Sequence, residues 1–89
     1  MYKIVYTATF KKDFKKLDNS IAKRILEKIF ELAKNPHNVK LLKHSPKDLP
    51  NLCKLRSGDW RILFWTDFKN KIIALYTVEH RSKIYRNLE

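Results

Sequence analysis

Gly58 is the only glycine in this 89-residue chain. Tight hairpin turns rely on residues that enter positive φ without penalty, and here such a residue stands at one place. The stretches on either side, 51–56 and 60–66, are rich in β-formers, so Ser57-Gly58 is expected to close a two-residue hairpin between two strands. Across that turn Arg56 faces Asp59, Leu55 faces Trp60 and Lys54 faces Arg61. Alternation then puts Cys53, Leu55, Trp60, Ile62 and Phe64 on one face and Lys54, Arg56 and Arg61 on the other, with Leu63 and Trp65 flooring the second. A three-residue turn would instead place Arg61 among the core residues, where an unpaired cation is costly. The hydrophobic pattern therefore selects the register that clusters the cations. A single glycine also excludes a glycine-rich phosphate loop.

The remaining elements follow from periodicity. Tyr2 to Ala8 alternates and reads as a strand. Phe10, Phe14 and Leu17 recur at helical spacing, with Lys11, Lys12, Lys15 and Lys16 on the other side and Thr7 or Thr9 as the cap. Asp18-Asn19-Ser20 breaks that helix and caps a second, whose stripe is Ile21, Ile25, Ile29 and Leu32 and which ends at Asn35-Pro36. Residues 36–50, with Pro36, Pro46 and Pro50, read as a loop with a short turn around Leu41-Leu42. A third strand of the C-terminal half covers 71–79 after a turn at Asp67–Asn70, and residues 80–89 form a polar tail with some helix. The order βααβββ implies an α+β domain spanning 1–89: a mostly antiparallel four-stranded sheet with a two-helix hairpin on one face. Hydrophobic residues at 44% and aromatics at 12% exclude a disordered chain.

Twenty Lys+Arg against nine Asp+Glu give a net charge of +11. Such a field concentrates polyanions, with nucleic acid the first class of partner, an acidic protein the second and an anionic membrane the third. One cysteine, Cys53, excludes an internal disulfide and a cysteine-based zinc site. No carboxylate cluster and no histidine pair at ligand spacing imply a metal, and no cofactor is called for. His37 and His44 read as solvated loop residues, and Cys53 as a small core residue. The N-terminus is too short and polar for a signal peptide, and no apolar run approaches the ~20 residues of a membrane span, so a cytoplasmic protein is expected.

Two segments carry a resemblance. Lys54-Leu55-Arg56-Ser57-Gly58-Asp59-Trp60-Arg61-Ile62-Leu63-Phe64 resembles the central motif of the RelE/ParE toxin superfamily: a basic strand, a Gly-Asp turn, an aromatic and an arginine. Val78-Glu79-His80-Arg81-Ser82-Lys83-Ile84-Tyr85-Arg86 resembles the closing His-Arg-x-x-x-Tyr motif of its RelE branch. The resemblance spans nearly the whole chain and its order of elements. It implies a RelE-like fold and the toxin of a type II toxin–antitoxin system. The implied activity is a metal-independent endoribonuclease that cuts mRNA in the ribosomal A site. The implied partners are the ribosome, mRNA and a cognate acidic antitoxin, in a toxin–antitoxin hetero-oligomer. By position it makes Lys54, Arg61, Arg81 and Tyr85 the RNA-cleaving set, with Arg56 and His80 as auxiliaries. Some members carry a further lysine where this chain has Leu52, and others use histidine and glutamate, which keeps Glu79 and His80 in view.

The residue types suit that chemistry. RNA is cut when its 2′-OH attacks the adjacent phosphate. That proton must be removed, the extra charge on phosphorus stabilised and the leaving 5′-oxygen protonated. Arginine grips two phosphate oxygens at once. Lys54 stands among arginines, and like charges disfavour its protonated form, which makes it one candidate base; Tyr85 is the other, or else a stacking residue. Lys11, Lys12 and Lys15 read as a solvated face or a ribosomal RNA contact. Two other functions share the pattern: a ParE-like toxin that inhibits gyrase and cuts nothing, and a noncatalytic basic RNA-binding module.

Overall fold

The computed structural model describes residues 1–36, 40–41 and 52–83. Strand β1 (Lys3–Tyr6) ends at Thr7, whose extended backbone and side-chain oxygen cap helix α1 (Ala8–Phe14) by accepting the Phe10 N–H at 3.2 Å. Of the two threonines available, Thr7 is thus the cap. Asp18 repeats the device for α2 (Asn19–Lys34), accepting the Ile21 N–H at 2.9 Å. That bond chiefly, and next the Ser20 hydroxyl, hold the Asp18 carboxyl below its ordinary range. Asn35 closes α2 by donating to the Glu31 and Leu32 carbonyls. The buried residues of α2 are Ile25, Ile29, Leu32 and Ala33; of the stripe that its spacing implies, Ile21 is partly buried against the same core.

The sheet contains β2 (Lys40–Leu41), β3 (Cys53–Ser57), β4 (Trp60–Asp67) and β5 (Ile72–His80) beside β1, in the order β1-β5-β4-β3-β2. Strand β1 runs parallel to β5, and the other neighbours are antiparallel. The four long strands and two helices match the α+β architecture expected from the sequence. Strand β2 is an addition: where a loop was expected, two residues pair with β3 and form the sheet edge.

The hairpin differs from expectation in one respect. Ser57 faces Trp60, Arg56 faces Arg61, Leu55 faces Ile62 and Lys54 faces Leu63, so the turn residues are Gly58-Asp59 rather than Ser57-Gly58. Gly58 has φ +61° and Asp59 is not among the positive-φ residues, the pattern of a turn that takes glycine at its first central position. The register is displaced by two residues, one full side-chain period, so every residue keeps its expected face. Cys53, Ile62 and Phe64 join Phe10, Ile25 and Ile29 in the core beneath the helices, with Leu55 and Trp60 packed against it.

A bulge interrupts the β4–β5 ladder. Leu63 faces Thr77 and Phe64 faces Leu75, which leaves Tyr76 as the extra residue. The Thr7 hydroxyl donates to the carbonyls of Leu75 (2.7 Å) and Tyr76 (3.1 Å), so one side chain caps α1 and ties the bulge. Below it, Thr77 donates to the carboxylate of Asp13 on α1. On the face away from the helices, Leu52 and Leu63 form a second small cluster with Trp65 and Tyr76 packed against them. Among the described residues no helix is long and apolar enough to cross a membrane.

Candidate nucleic-acid interface

The Gly58-Asp59 turn is where the arginines meet. Arg56 and Arg61 are direct cross-strand partners on the outer face, a placement that like charges alone would disfavour. The turn offsets this with acceptors. Arg61 donates through Nη1 to the carbonyls of Gly58 (2.9 Å) and Trp60 (3.1 Å), and Arg56 donates through Nε to the same Gly58 carbonyl (3.3 Å). Arg61 is only 8% exposed, so its guanidinium is fixed rather than waving in solvent, whereas Arg56 is exposed. A cation at that depth needs partners, and two peptide carbonyls supply them.

Arg81 arrives from the far end of the chain. Strand β5 pairs His80 with Trp60, and the next residue continues the ladder: the Arg81 N–H donates to the Asp59 carbonyl at 2.8 Å. The Arg81 Nε also lies 3.9 Å from the Asp59 carboxylate, with both side chains more than half exposed. An exposed ion pair of that length adds little, so the backbone bond is the main anchor. The Gly-Asp turn is legible as a motif, but the task of Asp59, holding Arg81, is visible only in the structure. A carboxylate in a segment otherwise rich in arginine was the signal available.

Lys54 lies one same-face step from Arg56 along β3, opposite Leu63. His80 stands apart, on the side of the sheet where Trp60 meets the core: its ring is edge-on to Trp60 at 5.5 Å, and its Nδ1 meets the Ser82 hydroxyl at 3.0 Å. Lys11 and Lys12 lie on α1 and Lys15 caps its C-terminal end, in the layer opposite the Lys54, Arg56 and Arg61 face; Lys11 and Lys15 border an apolar groove of about 360 Å³ lined by Tyr6, Phe10, Phe14 and Leu26. Tyr85 and Arg86 lie outside the described residues, as do His37 and His44. Cys53 is buried and its burial pushes the thiol up, the behaviour of a core residue rather than a nucleophile. Among the described residues no group of three or more His, Cys, Asp or Glu side chains could hold a metal ion.

Residues 4–85 match a family described as the ParE toxin of type II toxin–antitoxin systems, parDE. The chain is 33% identical to the toxin RelE of Mycobacterium tuberculosis over 86 residues, covering 96% of this chain and 87% of that protein. Its fold matches the crystal structure of the toxin–antitoxin complex RelBE2 from the same organism with a TM-score of 0.77 at 26% identity, over 90% of this chain and 98% of that one. The RelB–RelE antitoxin–toxin complex of Methanococcus jannaschii matches with a TM-score of 0.68 at 26% identity, over 96% of this chain and 99% of the other.

Proposed function

This chain belongs to the ParE-toxin family of type II toxin–antitoxin systems, within the RelE/ParE superfamily, and on that premise we propose that it is a cytoplasmic, ribosome-dependent endoribonuclease that cuts A-site mRNA. The observation that carries the reading is the convergence of Arg56, Arg61 and Arg81 on one two-residue turn, with Lys54 on the adjoining strand. Carbonyl bonds hold Nη1 of Arg61, so its Nε and Nη2 are the edge proposed to grip a phosphate. Arg81 lies on the opposite flank of the turn, where it would stabilise the charge that develops as the 2′-OH attacks phosphorus. Lys54 is one candidate for the base that takes the 2′-OH proton, and Tyr85 keeps the alternative role that the sequence resemblance gives it. The 5′-oxygen leaves with a proton whose donor is not assigned to arginine, given that group's high pKa. The scissile geometry would come from the ribosome, since positioning a substrate can contribute several kcal/mol that free RNA lacks.

The antitoxin is proposed as an acidic segment ordered on the toxin. The relatives crystallised as toxin–antitoxin complexes, the charge of +11 and an apolar groove bordered by Lys11 and Lys15 support that partner. A second reading, a gyrase-directed toxin without nuclease activity, is favoured by the family that the chain matches. Single-turnover cleavage on programmed ribosomes separates the two. Removing one oriented donor costs about 10²–10³ in rate, so Arg81→Ala should lose that much while ribosome binding changes little. If folded Arg81→Ala and Lys54→Ala both retain full toxicity in cells, the nuclease reading fails and the gyrase reading replaces it.

A further inference from the structure

The outer face of the sheet carries more than cations. Along β4 the residues that alternate onto this face are Arg61, Leu63 and Trp65, since the strand's other residues, Ile62 and Phe64, belong to the core beneath the helices. Arg61 and Trp65 lie four steps apart along the strand, a span of about 13 Å. Lys54 flanks the middle of that span from β3. From the other side comes Tyr76, and its presence there depends on the bulge. In an unbroken ladder, alternation back from Val78, a core residue, would send residue 76 into the core as well. The extra residue shifts the phase, so Leu75 takes the core position and Tyr76 packs on Leu63 and Trp65 instead. The two rings meet at 5.4 Å with a 54° tilt, and both are half-buried.

We infer that Trp65 and Tyr76 form a nucleobase-stacking shelf, which receives a base of the RNA strand whose phosphate is held at Arg61. This rests on the ribonuclease reading above for the identity of the strand, and adds a subsite to it. Every base has a π-face, so such a shelf is tolerant of sequence, and rings beside a cationic track are the means by which single strands are held. The floor beneath is apolar and fully buried, Leu52 and Leu63, so the rings rest on a packed layer and are held in place. The bulge thus has a reason in terms of the site: it delivers the second ring to the face where the arginines are.

The test uses short single-stranded RNAs that are 2′-O-methylated so that they cannot be cut, with fluorescence anisotropy at low salt. One series has all bases, and in the others one position at a time is abasic. Stacking on such a ring is typically worth about 5- to 150-fold in affinity. The unaltered toxin should lose affinity by that order when one particular base is missing. Tyr76→Leu and Trp65→Leu, which keep apolar cover over Leu63, should bind the complete RNA correspondingly more weakly and be indifferent to that abasic position; Tyr76→Phe should match the unaltered protein. Equal binding of complete and abasic RNAs by the unaltered toxin overturns the shelf, and so does a folded Tyr76→Leu variant that loses as much affinity as the unaltered toxin when that base is removed. The abasic series needs no variant, so a misfolded substitution does not decide the matter. Base-dependent binding without ribosomal cleavage would sink the nuclease reading and leave the shelf standing; cleavage without base-dependent binding would do the reverse.

Discussion

Replacing Gly58 by L-alanine and, in a chemically synthesised chain, by D-alanine isolates the backbone demand of the turn on which the arginines converge. The φ at Gly58 is +61°, and a Cβ built there meets nothing within 4 Å, so neither substitution introduces a clash. For an L-residue a left-handed backbone costs about 1–2 kcal/mol. Against this, any alanine restricts the unfolded chain relative to glycine and returns about 0.4–1 kcal/mol. The L-alanine protein should therefore be less stable than the parent by about 0–1.6 kcal/mol, the φ cost less the gain from the restricted unfolded chain. D-alanine finds positive φ congenial, so only the second effect remains and the protein should gain about 0.4–1 kcal/mol. The two variants have identical composition and differ by the φ cost alone. With a urea m-value near 1 kcal/mol/M for a domain of this size, their unfolding midpoints should lie about 1–2 M apart, with the parent between them. Coincident midpoints, or a D-alanine variant below the parent, would refute the reasoning. The same pair bears on the site, because the Gly58 carbonyl accepts from both Arg56 and Arg61. A turn forced open by L-alanine should slow RNA cleavage beyond what its stability loss explains, and D-alanine should leave the rate near the parent's.

Thr7→Val keeps the side chain's shape and removes the oxygen that caps α1 and ties the Leu75 and Tyr76 carbonyls; a loss of about 1–3 kcal/mol is expected by urea unfolding, and a loss below about 0.5 kcal/mol would mean that the link between cap and bulge is immaterial. Asp18 and Asp67 both have lowered carboxyl pKa values, Asp18 chiefly through the Ile21 N–H and Asp67 chiefly through the Asn70 side-chain amide. A depressed folded-state pKa gives stability that is present above the unfolded value of about 3.9 and is lost as pH falls through the folded one, so melting temperature should drop with acidification below about pH 4. Asp18→Asn with Asp67→Asn should flatten that acid limb in thermal melts from pH 2 to 5, and an unchanged slope would place its origin in other carboxylates.

Helix α2 was legible because its apolar period is long and uninterrupted, and its Asp18 cap and Asn35 stop sit where the pattern begins and ends. The faces of the hairpin were legible for a different reason. Moving the turn from Ser57-Gly58 to Gly58-Asp59 shifts the register by two, and a period of two cannot register that error. The opposition of Arg56 and Arg61 was lost in the same step, since which residues face each other does depend on the shift. Three features had no local signal. The parallel pairing of β1 with β5 joins opposite ends of the chain, and the two-residue β2 is too short to show a pattern. The bulge reads in sequence as an ordinary continuation of Ala74-Leu75-Tyr76-Thr77-Val78, and only the ladder reveals the extra residue. For the candidate site, charge type pointed to a cation cluster, while its organiser, the carbonyls of a turn, has no side-chain signature.

The parallel pairing of β1 with β5 also sets the order in which this protein can come into being. Thr7 and its partner Leu75 are 68 residues apart in the chain. At about 5–20 residues per second, the ribosome needs roughly 3–14 seconds to make the second after the first. Strand β1 must wait that long without its sheet neighbour, and the loop it finally closes is nearly as long as the domain. Contacts of such separation place folding toward the slow end for a chain of this size. Arg81, six residues beyond Leu75, is made later still. The arginine cluster is therefore among the last parts to assemble, and a half-made chain carries much of the toxin's positive charge without its site.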